Sequence, residues 1–211
     1  MADARRSKNS QEYNFSVFIN CPFDEAYVGL FRSIVFAVIH WGFRARCALE
    51  IDDGGQVRIE KILKIIEVCR YGIHDLSRTD LDKASKLPRF NMPLELGLFL
   101  GAQRFGLSQQ RRKTSLILDR EQYRYQKFIS DISGQDIRSH RRQERQAIRV
   151  TRDWLSTSSG RTIPGGAHIY RQYNRFKREL PALCQRLKLK RSEMTFNDYA
   201  NIVTAWVAAS G

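Results

Sequence analysis

The chain has 211 residues, 42% hydrophobic and 27% charged, a globular composition with room for one sizeable core, which excludes a disordered or fibrous polymer. No run approaches the roughly 18 apolar residues of a spanning helix, and the polar opening Met-Ala-Asp-Ala-Arg-Arg has no apolar signal stretch. Cys21, Cys47, Cys69 and Cys184 form no C-x-x-C pair, so neither a disulfide framework nor a zinc site is expected. These features lead to the expectation of a soluble cytoplasmic protein with no membrane contact and no bound metal. The net charge of +14 is carried mainly by the second half. From Arg138 to Arg191 a dense series of arginines and lysines is opposed only by Glu144, Asp153 and Glu179. Such a surface either attracts polyanions and phosphorylated ligands or consists of solvated helix faces.

Residues 1–13 read as a disordered lead-in. Phe15-Ser-Val-Phe-Ile-Asn20 is β-branched and aromatic, a buried strand. From Asp24 a helix follows, with Tyr27, Leu30, Phe31, Ile34, Val35 and Val38 at helical spacing, and Gly42 ends it. Phe43–Leu49 reads as a second strand, leading into an acidic loop with Asp52-Asp53-Gly54. The next helix, about 57–69, puts Ile59, Ile62, Ile66 and Cys69 on one face. Tyr71–Leu76 is a third strand. After a long loop over 77–91, Asn91 and Pro93 open a helix that runs to about Gln103. Thr114–Asp119 is a fourth strand.

Beyond Asp119 the strand signal stops. An aromatic-rich helix is expected over 121–131, a basic helix over about 140–157, and a break at Gly160–Gly166. A helix over about 167–188 follows, bent or interrupted at Pro181. Thr195-Phe-Asn-Asp198 opens the last helix as a capping-box-like start. The pattern predicts an α/β protein: a doubly wound parallel sheet over 14–120, followed by an all-helical, basic extension over 121–211.

In open parallel sheets, ligands sit beyond the carboxyl ends of the strands. That rule selects Asn20, Cys21, Pro22, Phe23 and Asp24 after strand one, Glu50, Asp52 and Asp53 after strand two, Asp75 and Ser77 after strand three, and Asp119 after strand four. There is no GxGxxG and no Walker-type loop. In Asn91-Met-Pro-Leu-Glu-Leu-Gly-Leu-Phe-Leu-Gly101 the helix is apolar on nearly every side, which predicts burial all round. Glu95 in its first turns is therefore paired, protonated or facing a cavity. Arg89 and Arg46 are the candidate structural partners. Other features carry two readings each. His74 is a base or a core histidine, and Cys21 a reactive or a packed thiol. Asp52-Asp53-Gly54 is a metal loop or a solvated turn. Tyr123, Tyr125 and Phe128 stack bases or dock a helix.

Three segments resemble known families. Val17-Phe-Ile-Asn-Cys-Pro-Phe23, His74-Asp-Leu-Ser77 and Leu94-Glu-Leu-Gly97 are similar to the corresponding segments of nucleoside 2-deoxyribosyltransferases and of bacterial Toll/interleukin-1 receptor (TIR)-like domains. Both share a flavodoxin-like architecture, and the likeness covers about residues 14–120. It implies that Glu95 is the catalytic carboxylate for N-glycosidic bond cleavage, with Asp75 as a second catalytic residue. Met92-Pro93 stands where many TIR domains have Trp-Cys.

The implied function is cleavage of NAD or a related nucleotide, by hydrolysis or cyclisation, in bacterial antiphage immunity. NAD would be the substrate and no separate cofactor is implied. Asp75 and Ser77 would orient ribose hydroxyls, Asn20 and Phe23 would line the base pocket with Cys21, Pro22 and Asn91, and Arg46 or basic residues of the helical half would meet a phosphate. A homo-oligomer or an immune partner protein would complete the setting. The alternatives are a non-catalytic sensor or adaptor for a nucleotide signal, a deoxyribosyltransferase-like enzyme, and, ranked lower, nucleic-acid binding through Arg141, Arg142 and Arg145.

Overall fold

The computed structural model describes residues 11–79, 86, 87, 89–132 and 134–210. Five strands, β1 (Ser16–Asn20), β2 (Arg44–Arg46), β3 (Tyr71–Asp75), β4 (Thr114–Asp119) and β5 (Arg138–Ser139), form one all-parallel sheet in the order β2-β1-β3-β4-β5. Six helices of ten residues or more accompany them: α1 (Val28–His40), α2 (Arg58–Glu67), α3 (Asn91–Phe105), α4 (Glu144–Ser159), α5 (Gly166–Arg186) and α6 (Phe196–Ser210). This is the expected α/β class with a parallel sheet and a helical C-terminal part. The chain runs outward in one direction from β1 to β2 and in the other from β3 onward, so the switch point lies between the carboxyl ends of β1 and β3.

Strand alternation assigns the two faces. Val17 and Ile19 of β1, Tyr71 and Ile73 of β3, and Leu116 and Leu118 of β4 join one apolar cluster with α1, α4, α5 and α6. Phe18 of β1 packs with Ile62, Ile65 and Ile66 of α2 and Phe99 of α3 on the other face, where Ile117 of β4 meets Met92 and Leu96 of α3. Residues one apart on a strand therefore address different helices.

The first of these clusters reaches Trp154, Ile169, Phe176, Val203 and Trp206. The helices after residue 120 thus complete the core of the sheet, and the packing has no break at the boundary expected there. β5 also lies beyond it. Its two polar residues pair with Leu118 and Asp119, and too short an edge strand leaves no alternation to read.

Other elements differ from expectation for local reasons. Over 121–131 there are only short 3-10 turns, Arg124–Lys127 and Ser130–Ile132, because Tyr123 enters the left-handed region at φ 62°, which stops helix growth. β2 ends at Arg46, where Glu50 N–H closes a turn on the Cys47 carbonyl. α5 runs through Pro181 unbroken. The helix α3 is not buried all round: Leu94 is 55% and Phe105 85% exposed. Residues 1–10 of the expected lead-in, and 80–85 and 88 of the long loop, lie outside the described residues. Residues 11–15 are helical, and Tyr13 is buried with its hydroxyl donating to the Gln109 carbonyl at 2.6 Å.

Gly72 shows how closely α3 approaches the sheet. A Cβ there would stand 2.6 Å from His74 Nε2 and 2.8 Å from Phe99 Cζ, in a buried strand with no give. Gly72→Ala is expected to destabilise the protein by about 1–3 kcal/mol through overpacking, measured as a lower urea midpoint.

Candidate active site

Asn20 ends β1 on the face covered by α3. Its Nδ2 donates to the Met92 carbonyl at 2.8 Å and lies 3.2 Å from His74 Nδ1. The first bond pins the start of α3 to the carboxyl end of the sheet, and Glu95 follows on the same turn. With Asn20 donating, His74 Nδ1 is an acceptor. Burial, with a smaller push from Lys113, lowers the imidazole pKa to about 3. His74 is a neutral, fully buried packing residue against Phe18 and Phe99, so it is not placed to act as a base.

A cavity of about 290 Å3 opens at this point. It is lined by seven of the residues selected from the sequence: Asn20, Cys21, Pro22, Phe23, Asp24, Asn91 and Glu95. The fold adds Arg58, Arg89 and Met92 to its walls. Glu95 is 6% exposed, and among the described residues its carboxylate has neither hydrogen bond nor ion pair. Burial raises its pKa to about 7, against a lowering influence from Arg58. Neither arginine considered as its structural partner pairs with it. Arg46 is engaged by Glu50, with Nε 2.7 Å and Nη2 2.5 Å from the carboxylate oxygens, and Arg89 lines the cavity without an ion pair to Glu95.

Asp75 and Ser77 are not in this cavity. Asp75 follows Tyr71 and Ile73 in the alternation of β3 and faces the α1 side, fully buried. Its Oδ2 accepts from the Tyr27 hydroxyl at 2.5 Å, and its Oδ1 from the Ser77 backbone N–H at 2.8 Å. His140 Nε2 stands 2.9 Å from Oδ2, off the alignment of a good hydrogen bond. Burial pushes the Asp75 pKa up, but His140, Ser77 and Tyr27 outweigh it and hold the carboxyl below its usual range. A carboxylate so enclosed positions structure and has no path to a substrate in the Glu95 cavity. Ser77 borders a different cavity on the α1 side. Arg46, closed in its fork with Glu50, is likewise absent from the Glu95 cavity.

The remaining candidates take their places simply. Cys21 is buried, and burial followed by the charges of Asp75, Cys47 and Glu95 raises its pKa well above the ordinary value, so it remains a packed thiol. Asp53 Oδ1 accepts from Gly55 N–H at 2.9 Å, a side-chain turn. Tyr125 joins the core under α3. Arg58 carried no functional signal in the sequence, since it looked like any charged residue on the solvent face of α2.

The arrangement offers Glu95, poised between charge states at neutral pH, in a small pocket whose wall also carries Arg58, Arg89 and Asp24, the last paired with Arg78. Its volume is near the lower end of small-molecule sites, roughly 300–1,000 Å3, enough for a nucleoside-sized group. Among the described residues no helix is long and apolar enough to cross a membrane. The chain matches no family model, no curated protein and no solved structure.

Proposed function

We propose that the chain is a TIR-like or deoxyribosyltransferase-like enzyme that cleaves the N-glycosidic bond of NAD or a related nucleotide, in a bacterial antiphage setting. The observation that carries this reading is the Glu95 carboxylate, unpaired among the described residues and opening into the cavity between the carboxyl end of β1 and the first turns of α2 and α3. A buried acid without a partner destabilises the fold when ionised, and raised carboxylates in clefts concentrate at functional sites. The three segments behind the resemblance, around Asn20, Asp75 and Glu95, meet at this edge of the sheet.

The chemistry follows from the charge states. In NAD the C1′–N bond joins ribose to a cationic pyridinium. When it breaks, the bond pair stays with the nitrogen, nicotinamide leaves neutral, and no general acid is needed. The positive charge develops on C1′ and its ring oxygen. Ionised Glu95 beside C1′ stabilises that charge or bonds to it, and water or another nucleophile then completes the transfer. With water, the proton released passes to Glu95 or to solvent. Arg58 and Arg89 in the cavity wall suit the substrate's phosphates.

The test is incubation of the purified chain with NAD, with products separated by chromatography. Nicotinamide release is expected, with kcat/KM rising as pH increases through about 7 as Glu95 ionises. Transfer of the sugar to an added base instead of water would identify the deoxyribosyltransferase reading. NAD bound but recovered intact would favour the sensor reading and count against catalysis.

A further inference from the structure

A second cavity, of about 370 Å3, lies at the same carboxyl edge on the α1 side of the sheet. Its walls carry three arginines from three different connections: Arg78 after β3, Arg120 after β4 and Arg142 after β5. We propose that this cavity is a binding site for a phosphate-bearing anion, separate from the Glu95 pocket.

The argument rests on convergence and on charge. Arg78 is held by Asp24 at 2.7 Å, which fixes its guanidinium at the wall while other donors stay available. Among the described residues Glu144 is the one carboxylate lining the cavity. It is already neutralised by Lys177, 2.6 Å away. The guanidinium of Arg142 makes no ion pair among the described residues. Its backbone is anchored, because Arg142 N–H donates to Nδ1 of the fully buried His140 at 2.9 Å. Under the floor, the charge of Asp75 is taken up by Tyr27, Ser77 N–H and His140. Three planar cations thus line the hollow: Arg78 and Arg120 have acidic neighbours in Asp24 and Glu121, 2.7 and 3.4 Å away, while Arg142 has none among the described residues, and guanidinium forks match phosphate oxygens in pairs. A net charge of +14 further draws anions to the surface.

The segment from Asn20 to Tyr27 separates the two cavities, with Asp24 lining the Glu95 pocket and Tyr27 the arginine cavity. The anion is either an independent ligand or the phosphate portion of a longer one, and the probe chosen reads the shared chemistry directly.

Titration calorimetry of the full chain with inorganic pyrophosphate at moderate salt tests the site. One saturable site per chain is expected, weakened at least about tenfold in Arg142→Ala and in Arg78→Ala. Arg171→Ala, an exposed residue of α5 outside the cavity, and Glu95→Gln should bind as the unaltered chain does. Arg142 is exposed, so its variant should keep the parent melting temperature. No saturable heat, unchanged affinity in both arginine variants, or equal weakening by Arg171→Ala would overturn the proposal. Loss in Glu95→Gln alone would place the ion in the other pocket and overturn it too. If pyrophosphate competes with NAD, the phosphates belong to one ligand; if both bind together, the ligands are distinct, and the anion site stands in either case.

Discussion

Glu95→Gln is expected to give a protein that has lost N-glycosidic cleavage and yet is more stable than its parent above neutral pH. Removing the carboxylate should cut kcat/KM by about 10³-fold or more, the scale on which losing a group that stabilises developing charge is felt. The stability effect follows from linkage. The carboxyl has an ordinary value of 4.5 and about 7 in the fold, so the folded state favours the protonated form. Below pH 4.5 the acid is neutral in both states and costs nothing. The penalty grows between pH 4.5 and 7 and is complete above that. It amounts to at most about 3 kcal/mol, and less after allowing for solvent reaching the carboxylate through the pocket mouth.

Gln keeps the shape and removes the titration. The variant should therefore gain about 1–3 kcal/mol at pH 8, or roughly 3–10 °C in Tm, and nothing at pH 4. Urea unfolding of both proteins across that range measures it. A stability difference that stays flat with pH would show that Glu95 does not carry the desolvation cost assigned to it.

Asp75→Ala is expected to produce the opposite pattern, with a loss of about 3–5 kcal/mol and inactivity only through unfolding. The carboxylate is buried beneath Tyr27, Ser77 and His140, and removing it leaves a hydroxyl and an amide without their acceptor and takes the charge from beside the His140 imidazole. Asn in its place keeps an acceptor oxygen and should cost less than half as much. His140→Ala combined with Asp75→Ala should cost less than the sum of the singles, with a coupling of about 0.5–3 kcal/mol. Because the Asp75 pKa is depressed in the fold, its contribution is present above about pH 4 and is lost as pH falls below that. Chemical denaturation at pH 7 and pH 3 reads both. An Asp75→Ala protein as stable as its parent but unable to turn over NAD would reinstate Asp75 as a catalytic residue.

Much of this site could be read locally. Short apolar runs ending at Asn20 and Leu76 located β1 and β3 to within a residue or two. The rule that ligands gather beyond strand ends then found five of the ten residues around the Glu95 cavity, Asn20 to Asp24. The oddity of a lone acid in Leu94-Glu95-Leu96 needed only the hydrophobic pattern. Where local reading failed, the cause was conformational. Tyr123 takes a left-handed backbone that its side chain does not advertise. β5 exists because β4 offers an edge, and Arg138 and Ser139 give no sign of it.

The sequence by itself determined the α/β class, the order of the first four strands and the six long helices along the chain, and the presence of an acid in an apolar helix, because each is set by side-chain patterns spanning a few residues. The tertiary structure alone decided which acids share a cavity. Glu95 and Asp75 both stand near strand ends, yet α3 crosses one face of the sheet and α1 the other, so only one of them meets Asn20. It also decided that Arg46 answers Glu50, that Arg58 faces Glu95, and that α4, α5 and α6 fill the core of the sheet rather than forming a separate unit. Those outcomes depend on pairings between distant segments, and no window along the chain contains both partners.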